Sequence, residues 1–246
     1  MNKGYKNKQD IDVFILCGGR GKRLKRLWRD APKPMIKIGN RPFLEIIFDY
    51  LASFGFRRFI LGTGYKADFV EDYYHNHKRP GLKILFSRES RPLDTGGAIK
   101  KARRLIKTDP FMVLNGDSFC KFNPLLMLEF HRQKKSLISI LLRKVSGGKD
   151  FGEVKINNSY CIIKFNEKDS QAEKCLINAG VYIFSKDIFK LMPSQSKFSL
   201  EKDFFPKLTG KKIFGYPCQG FFIDIGTPQR YAQAERYFLG KGYGRG

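Results

Sequence analysis

Apolar positions along the chain fall into short blocks, and the spacing inside the blocks switches between two periods. Residues 12–17, Asp-Val-Phe-Ile-Leu-Cys, run almost unbroken apolar and stop at Gly18-Gly19. That pattern predicts a strand buried on both faces, feeding a glycine loop. From Pro42 to Phe56 the apolar residues Phe43, Ile46, Ile47, Tyr50, Leu51 and Phe54 repeat at helical spacing, with Gly55 as the break. Arg58–Leu61 reads as a strand ending at Gly62-Thr63-Gly64, Lys66–Tyr74 as a helix and Leu82–Phe86 as a strand. Gly97–Ile106 reads as a helix, and Phe111–Leu114 as a strand ending in Asn115-Gly116-Asp117.

Strands alternate with helices through this half, the signature of a parallel sheet covered on both faces. In such sheets the ligand site lies beyond the C-terminal ends of the strands. The glycine-bearing loops at 18–19, 62–64 and 115–117 would meet there. The second half is richer in strands: Leu137–Leu142, Gly152–Ile156, Tyr160–Phe165 and Gly180–Phe184, with Asn157-Asn158 as a turn. Leu200–Leu208 reads as a helix, Phe221–Ile225 as a last strand, and a helix follows Thr227-Pro228 through Phe238. With no internal repeat and no long linker, the expectation is one domain over 11–239, with a nucleotide half at about 11–120 and a second half at about 121–239. Residues 1–10 and 240–246 are expected to be flexible tails.

Composition narrows the class. The chain has 246 residues, 42% hydrophobic and 28% charged, which is globular rather than disordered. No apolar run approaches the ~20 residues of a membrane span, and Met1–Asp10 is polar and basic, without the apolar core of a secretory signal. No membrane insertion is expected. The five cysteines are scattered without a C-x-x-C pair, as expected of reduced thiols in a cytoplasmic protein. The net charge is +24. Such a charge suits a polyanion partner or an enzyme of phosphorylated substrates. Basic residues are spread along the chain, and no zinc finger, basic zipper or interleaved aromatic–basic motif is present, so a nucleic-acid partner is not expected.

The candidate chemistry sits in the loops. Leu16-Cys17-Gly18-Gly19-Arg20-Gly21-Lys22-Arg23-Leu24, then Pro32-Lys33-Pro34, combines glycine amides with cations beside a strand end. Glycine lets backbone N–H groups approach a phosphate closely. The spacing is neither a Walker A loop nor a dinucleotide fingerprint, and a tight turn beside a solvated basic run remains the alternative. Leu93–Ala98 opens a helix with paired glycines, a contact for a base edge or phosphate, or simply a helix entry capped by Thr95. Asp117 and Asp224 end strand-like runs in a basic protein; converging, they could hold Mg²⁺, and singly they could cap turns.

These segments together resemble the sugar-1-phosphate nucleotidyltransferases over roughly residues 11–238. The match comprises Gly18-Gly19-x-Gly21-x-Arg23-Leu24, Pro32-Lys33-Pro34, Gly96-Gly97-Ala98, Asn115-Gly116-Asp117, Phe165-x-Glu167-Lys168, Asn178-Ala179-Gly180 and Asp224-Ile225-Gly226, in the family's order. The resemblance implies an α/β, Rossmann-like three-layer fold with a mainly parallel mixed sheet. It implies that Leu16, Gly18, Gly19, Gly21, Lys22, Gly96, Gly97 and Asn115 surround the nucleotide. Arg23, Lys33 and Asp117 would be catalytic, and Asp117 and Asp224 would hold Mg²⁺. Gly152, Glu167, Lys168, Asn178 and Gly180 would hold the sugar phosphate, in the half expected at 121–239.

The reaction so implied joins an NTP, GTP first, to a sugar 1-phosphate and releases pyrophosphate. It needs alignment and charge neutralisation rather than a covalent protein nucleophile. Gly-Lys-Arg-Leu, Pro-Lys-Pro-Met-x-x-Ile, Arg-Pro-Phe-Leu-Glu and Thr-Gly-Gly-Ala-Ile look most like the guanylyltransferases of D-glycero-D-manno-heptose 1-phosphate. Those enzymes often carry Glu where this chain has Arg91, and Gly where it has Asp94. Arg91 would suit the carbonyls of uracil or cytosine, whereas Asp94 or Glu89 could take guanine's N–H donors, so UTP and CTP stay open. About twenty residues follow Asp224, too few for the C-terminal β-helix acyltransferase domain of some relatives. Self-association is left open.

Overall fold

The computed structural model describes residues 11–19, 31–146, 152–166 and 174–240. Its centre is β1 (Asp12–Leu16), which lies between β4 (Arg58–Thr63) and β6 (Phe111–Asn115) and runs parallel to both. β5 (Lys83–Arg88) extends the parallel set beyond β4. On the other side the sheet becomes mixed. β11 (Lys174–Phe184) runs antiparallel to β6, β8 (Ile138–Ser146) antiparallel to β11, and β12 (Ile213–Cys218) parallel to β8. β9 (Glu153–Ile156) and β10 (Ile162–Asn166) form an antiparallel pair that joins β11 where Ile177 meets Glu153. Two small ribbons complete the strands: β7 (Ser118–Cys120) with β13 (Phe222–Asp224), and β2 (Lys37–Ile38) with β3 (Arg41–Pro42).

The two-sided burial expected of β1 is present, and alternation assigns its faces. Val13, Ile15 and Cys17 enter one apolar cluster, built with α1 (Phe43–Ser53), α2 (Ala67–Asn76), α4 (Pro124–Gln133) and α6 (Pro228–Gly240). Phe14 enters the other, built with α3 (Asp94–Lys101), α5 (Ile188–Leu191) and the segment Phe198–Leu208. The result is the three-layer α/β arrangement, helices on both faces of a mostly parallel sheet. Asp12 opens β1 with a carboxylate only 1% exposed. Arg58 and the Thr108 N–H (3.1 Å) satisfy it, as burial of a charge requires.

Some elements differ from the sequence reading. α3 begins at Asp94, three residues before the expected start, and gives way at Ala102 to a 3₁₀ turn. Leu200–Leu208 is not an α-helix but a π turn, Leu200–Phe204, followed by a 3₁₀ turn, Phe205–Leu208. Pro206 lacks the N–H and crowds the preceding turn, so the apolar spacing there cannot propagate as an α-helix. α4 and β12 were not read from the sequence; β12 carries Pro217 at its outer end. No helix of the described residues is long and apolar enough to cross a membrane.

Candidate active site

The strand ends converge as parallel topology requires. Beyond β1, β4, β5 and β6 lies a cleft of about 740 Å³, walled by Leu16, Gly18, Gly19, Gly64, Tyr65, Glu89, Asn115 and Asp117. Leu93, Asp94 and Thr95, at the start of α3, and Lys33 and Pro34 close its sides. Of the nucleotide-binding residues expected from sequence, Leu16, Gly18, Gly19 and Asn115 line this cleft together with Lys33 and Asp117. Gly21, Lys22, Arg23, Glu167 and Lys168 lie outside the described residues.

Lys33 opens a 3₁₀ turn, Lys33–Met35, set by prolines on either side. The prolines restrict the backbone and aim the side chain into the cleft wall, where it is 14% exposed. Its ammonium donates to Asp117 Oδ2 at 2.6 Å. Asp117 follows β6 in the turn to β7, and the β7–β13 ribbon sets Asp224 opposite Ser118, one residue further on. The Ile225 N–H donates to the Asp117 carbonyl at 3.0 Å, locking the two acidic positions side by side. Asp224 accepts from the Gly226 N–H at 2.9 Å and from Arg230 at 2.7 Å. Each carboxylate therefore has a cation partner from the chain: Lys33 for Asp117, Arg230 for Asp224. Arg230 had no signal in the sequence, because its position depends on how α6 folds back over the ribbon.

Gly96 and Gly97 do not line the cleft. Both N–H groups donate to the Phe198 carbonyl, at 3.0 and 3.2 Å. A Cβ at Gly96 would stand 2.1 Å from the Phe198 ring, and one at Gly97 would stand 2.2 Å from the Ser196 carbonyl oxygen. The structure gives this pair a packing role: the glycines let the 196–198 strap pack against α3. The cleft face at this point is Asp94-Thr95. Asp94 has φ 57°, the left-handed region that favours glycine. Asp is among the side chains that tolerate this region.

Glu89 follows β5 and lines the cleft with its Oε1 against Gly18, where a Cβ would meet it at 3.2 Å. Its backbone N–H is held by the Thr63 carbonyl at 2.7 Å, and its Oε2 accepts from the Leu93 N–H at 3.0 Å. Burial raises its pKa, an effect the Leu93 N–H opposes. Arg91 also lines the cleft, where it donates to Ser196 Oγ at 3.1 Å.

The residues expected at the sugar phosphate are partly gathered. Asn178 Oδ1 accepts from the Gly180 N–H and its Nδ2 donates to the Tyr182 hydroxyl, both at 2.9 Å. Gly180, at φ 72°, lets Asn115 approach: a Cβ there would meet Asn115 Nδ2 at 2.6 Å. Asn115 Oδ1 and Ser118 Oγ beside it are buried with no hydrogen-bond partner among the described residues. Gly152 precedes β9, where Glu153 pairs with Ile177, so it is adjacent in the sheet to Asn178.

A glycine-walled cleft at parallel strand ends, with an internal lysine and two acidic residues on a ribbon, defines a phosphate-handling α/β enzyme. The chain belongs to the nucleotidyl transferase family, whose model matches residues 12–240. It is 39% identical to the D-glycero-alpha-D-manno-heptose 1-phosphate guanylyltransferase of Aneurinibacillus thermoaerophilus, covering 92% of this chain and 97% of that protein. It is 38% identical to the protein of the same name from Campylobacter jejuni, covering 90% and 97%. Among solved structures, HddC from Yersinia pseudotuberculosis superposes with a TM-score of 0.84 at 37% identity, covering 93% of this chain and 99% of that one. HddC has also been solved complexed with GMP-PN.

Proposed function

We propose that the protein transfers GMP from GTP to D-glycero-D-manno-heptose 1-phosphate, giving GDP-heptose and pyrophosphate. The observation that carries the reading is the β7–β13 ribbon, which sets Asp224 beside Asp117, a residue of the cleft wall, with Lys33 2.6 Å from Asp117. A phosphate oxygen of the sugar 1-phosphate attacks the α-phosphorus, and pyrophosphate leaves with the bond electrons. Lys33 is placed to meet the charge that gathers on the α-phosphate. Arg23, Lys22 and Gly21 complete the loop at the phosphates, and Glu167, Lys168, Asn178 and Gly152 hold the sugar phosphate, in the roles the family resemblance implies.

Two paired carboxylates are hard oxygen donors and fit Mg²⁺, which prefers one or two carboxylates completed by phosphate oxygens and water. Asp117 and Asp224 would hold it, and it would supply further charge neutralisation on the phosphates. Guanine is supported by Glu89, whose Oε1 is left over from the Leu93 contact and faces Gly18. A carboxylate suits guanine's N1–H and amino donors. Arg91, the residue that would favour uracil or cytosine, also lines the cleft but donates to Ser196 Oγ.

The test is pyrophosphate release with Mg²⁺, using GTP, CTP, UTP, ATP and dTTP against a panel of sugar 1-phosphates that includes the heptose. Release that requires GTP and the heptose phosphate together is expected. Release with another pair replaces the substrates named here, and none across the panel overturns the reading.

A further inference from the structure

Behind α3 a carboxylate gathers hydroxyls from both sides of the molecule. Glu201 lies in the π turn Leu200–Phe204. Its Oε2 accepts from Thr95 Oγ1 at 2.8 Å and from Ser199 Oγ at 2.9 Å, and its Oε1 accepts from the Tyr182 hydroxyl at 3.2 Å. Thr95 Oγ1 itself accepts from the Leu200 N–H at 2.8 Å. The Tyr182 oxygen accepts from Asn178 Nδ2, and Asn178 Oδ1 from the Gly180 N–H, both at 2.9 Å. Burial and the Glu201 charge hold the Tyr182 hydroxyl well above the ordinary tyrosine range, so it stays a donor. The direction of every bond in the chain is thereby determined.

The two ends of this chain are far apart in sequence and in role. Thr95 and Ser199 line the nucleotide cleft. Asn178 lies on β11, at the sugar-phosphate side in the reading proposed above, on which this inference rests. We infer that Glu201 is a positioning residue that fixes the start of α3 and the Asn178 amide relative to each other. An in-line displacement needs its reacting atoms about 3–3.5 Å apart, and a misplacement of ~1 Å can cost ~100-fold. Among the described residues no backbone hydrogen bond joins α3 to β11, and the Glu201 carboxylate links them through Thr95 and Tyr182. Among the described residues three hydroxyl donors satisfy the Glu201 charge, and Lys202 stays on the cleft wall.

Glu201→Gln keeps the volume but turns a donor toward hydroxyls that must donate. In the pyrophosphate assay it should lower kcat about 10- to 100-fold and raise both KM values, since it disturbs the links to both sides at once. Tyr182→Phe cuts the chain on the sugar side and should raise the sugar-phosphate KM more than that of the NTP. Thr95→Val cuts it on the nucleotide side and should do the reverse. Glu201→Asp, one methylene short, should not rescue kcat. Adding Tyr182→Phe to Glu201→Gln should cost little more than Glu201→Gln alone. A folded Glu201→Gln with kcat within twofold of wild type, or losses that simply add, overturns the inference. If Glu201→Gln does not fold, the Thr95→Val/Tyr182→Phe pair serves: non-additive losses support the coupling and additive ones overturn it.

Hydrogen exchange reads the same point without turnover. In Glu201→Gln, or in Tyr182→Phe if that variant alone folds, amides of both Leu93–Ala98 and Asn178–Gly180 should exchange faster. Faster exchange confined to the mutated element's own segment overturns the inference. A wild-type protein that releases no pyrophosphate sinks the functional reading instead and leaves this exchange result to judge Glu201.

Discussion

At the scale of single residues, the site is a set of charges on a cleft wall shaped by glycine and proline backbone. Asp117 is 37% exposed at its side chain, so its pair with Lys33 contributes little to stability and its removal bears mainly on turnover. Asp117→Asn should lower kcat by at least about 100-fold while thermal unfolding moves by only a few degrees. Near wild-type turnover would remove Asp117 from the machinery. Glu89 offers a sharper test of base choice. Glu89→Gln keeps the shape but replaces one acceptor oxygen with a donor. Loss of a charge-assisted bond of about 1.5–3 kcal/mol should reduce kcat/KM for GTP at least ~10-fold and narrow its lead over UTP. An unchanged GTP preference would move base reading to Asp94 or to the backbone.

Among the elements, the β7–β13 ribbon matters most, because neither strand is long enough to be stable alone. Its pairing with the turn at Asp117 is what brings residues 117 and 224 together. The hydropathy run Phe221–Ile225 announces the strand, but its partner is set by a long-range pairing that periodicity does not encode. α4 shows the opposite case, a helix whose start is local. Asn123 accepts from the Leu125 and Leu126 N–H groups at 3.0 and 3.2 Å, with Pro124 at the first helical position. Asn123→Ala should therefore cost about 1 kcal/mol in urea unfolding and leave kcat unchanged, since α4 contributes nothing to the cleft wall. A loss of activity at constant stability would contradict that separation. The residues of the cap, Asn123-Pro124, are local in sequence, but Leu125, Leu126 and Leu128 after them do not form a clean helical stripe.

For the molecule as a whole, acid stability is tied to a buried histidine. His131 is packed beneath β8, with Nδ1 2.9 Å from Ser139 Oγ. Burial, reinforced by Arg132, lowers its pKa from 6.5 to about 4. Above pH 6.5 the ring is neutral whether the chain is folded or not, and it has no effect. Between 6.5 and about 4 the unfolded chain binds a proton that the folded chain refuses, so stability falls as the pH falls. The shift corresponds to about 3 kcal/mol across that window, at ~1.4 kcal/mol per pH unit. His131→Gln should flatten the dependence of unfolding free energy on pH there, whatever its cost at neutral pH. An unaltered slope would place the acid sensitivity elsewhere.

The sequence by itself determined the sheet and the place of the site. Uninterrupted apolar runs are stable only where both faces are covered, and parallel strands must release their loops on one side. Leu16, Gly18, Gly19, Asn115 and Asp117 were legible as cleft residues for that reason, since each sits within a few residues of such a strand end, whereas Lys33 was legible only through the Pro32-Lys33-Pro34 motif. The tertiary structure decided what local pattern leaves free. Gly96 and Gly97 turned out to serve the packing of Phe198, Arg230 to neutralise Asp224, and Glu201 to gather hydroxyls from elements about twenty and a hundred residues away in the chain. Period and spacing report which side of an element is buried; they carry no information on which distant side chain will meet it there, and polar partnerships across the core depend on that meeting.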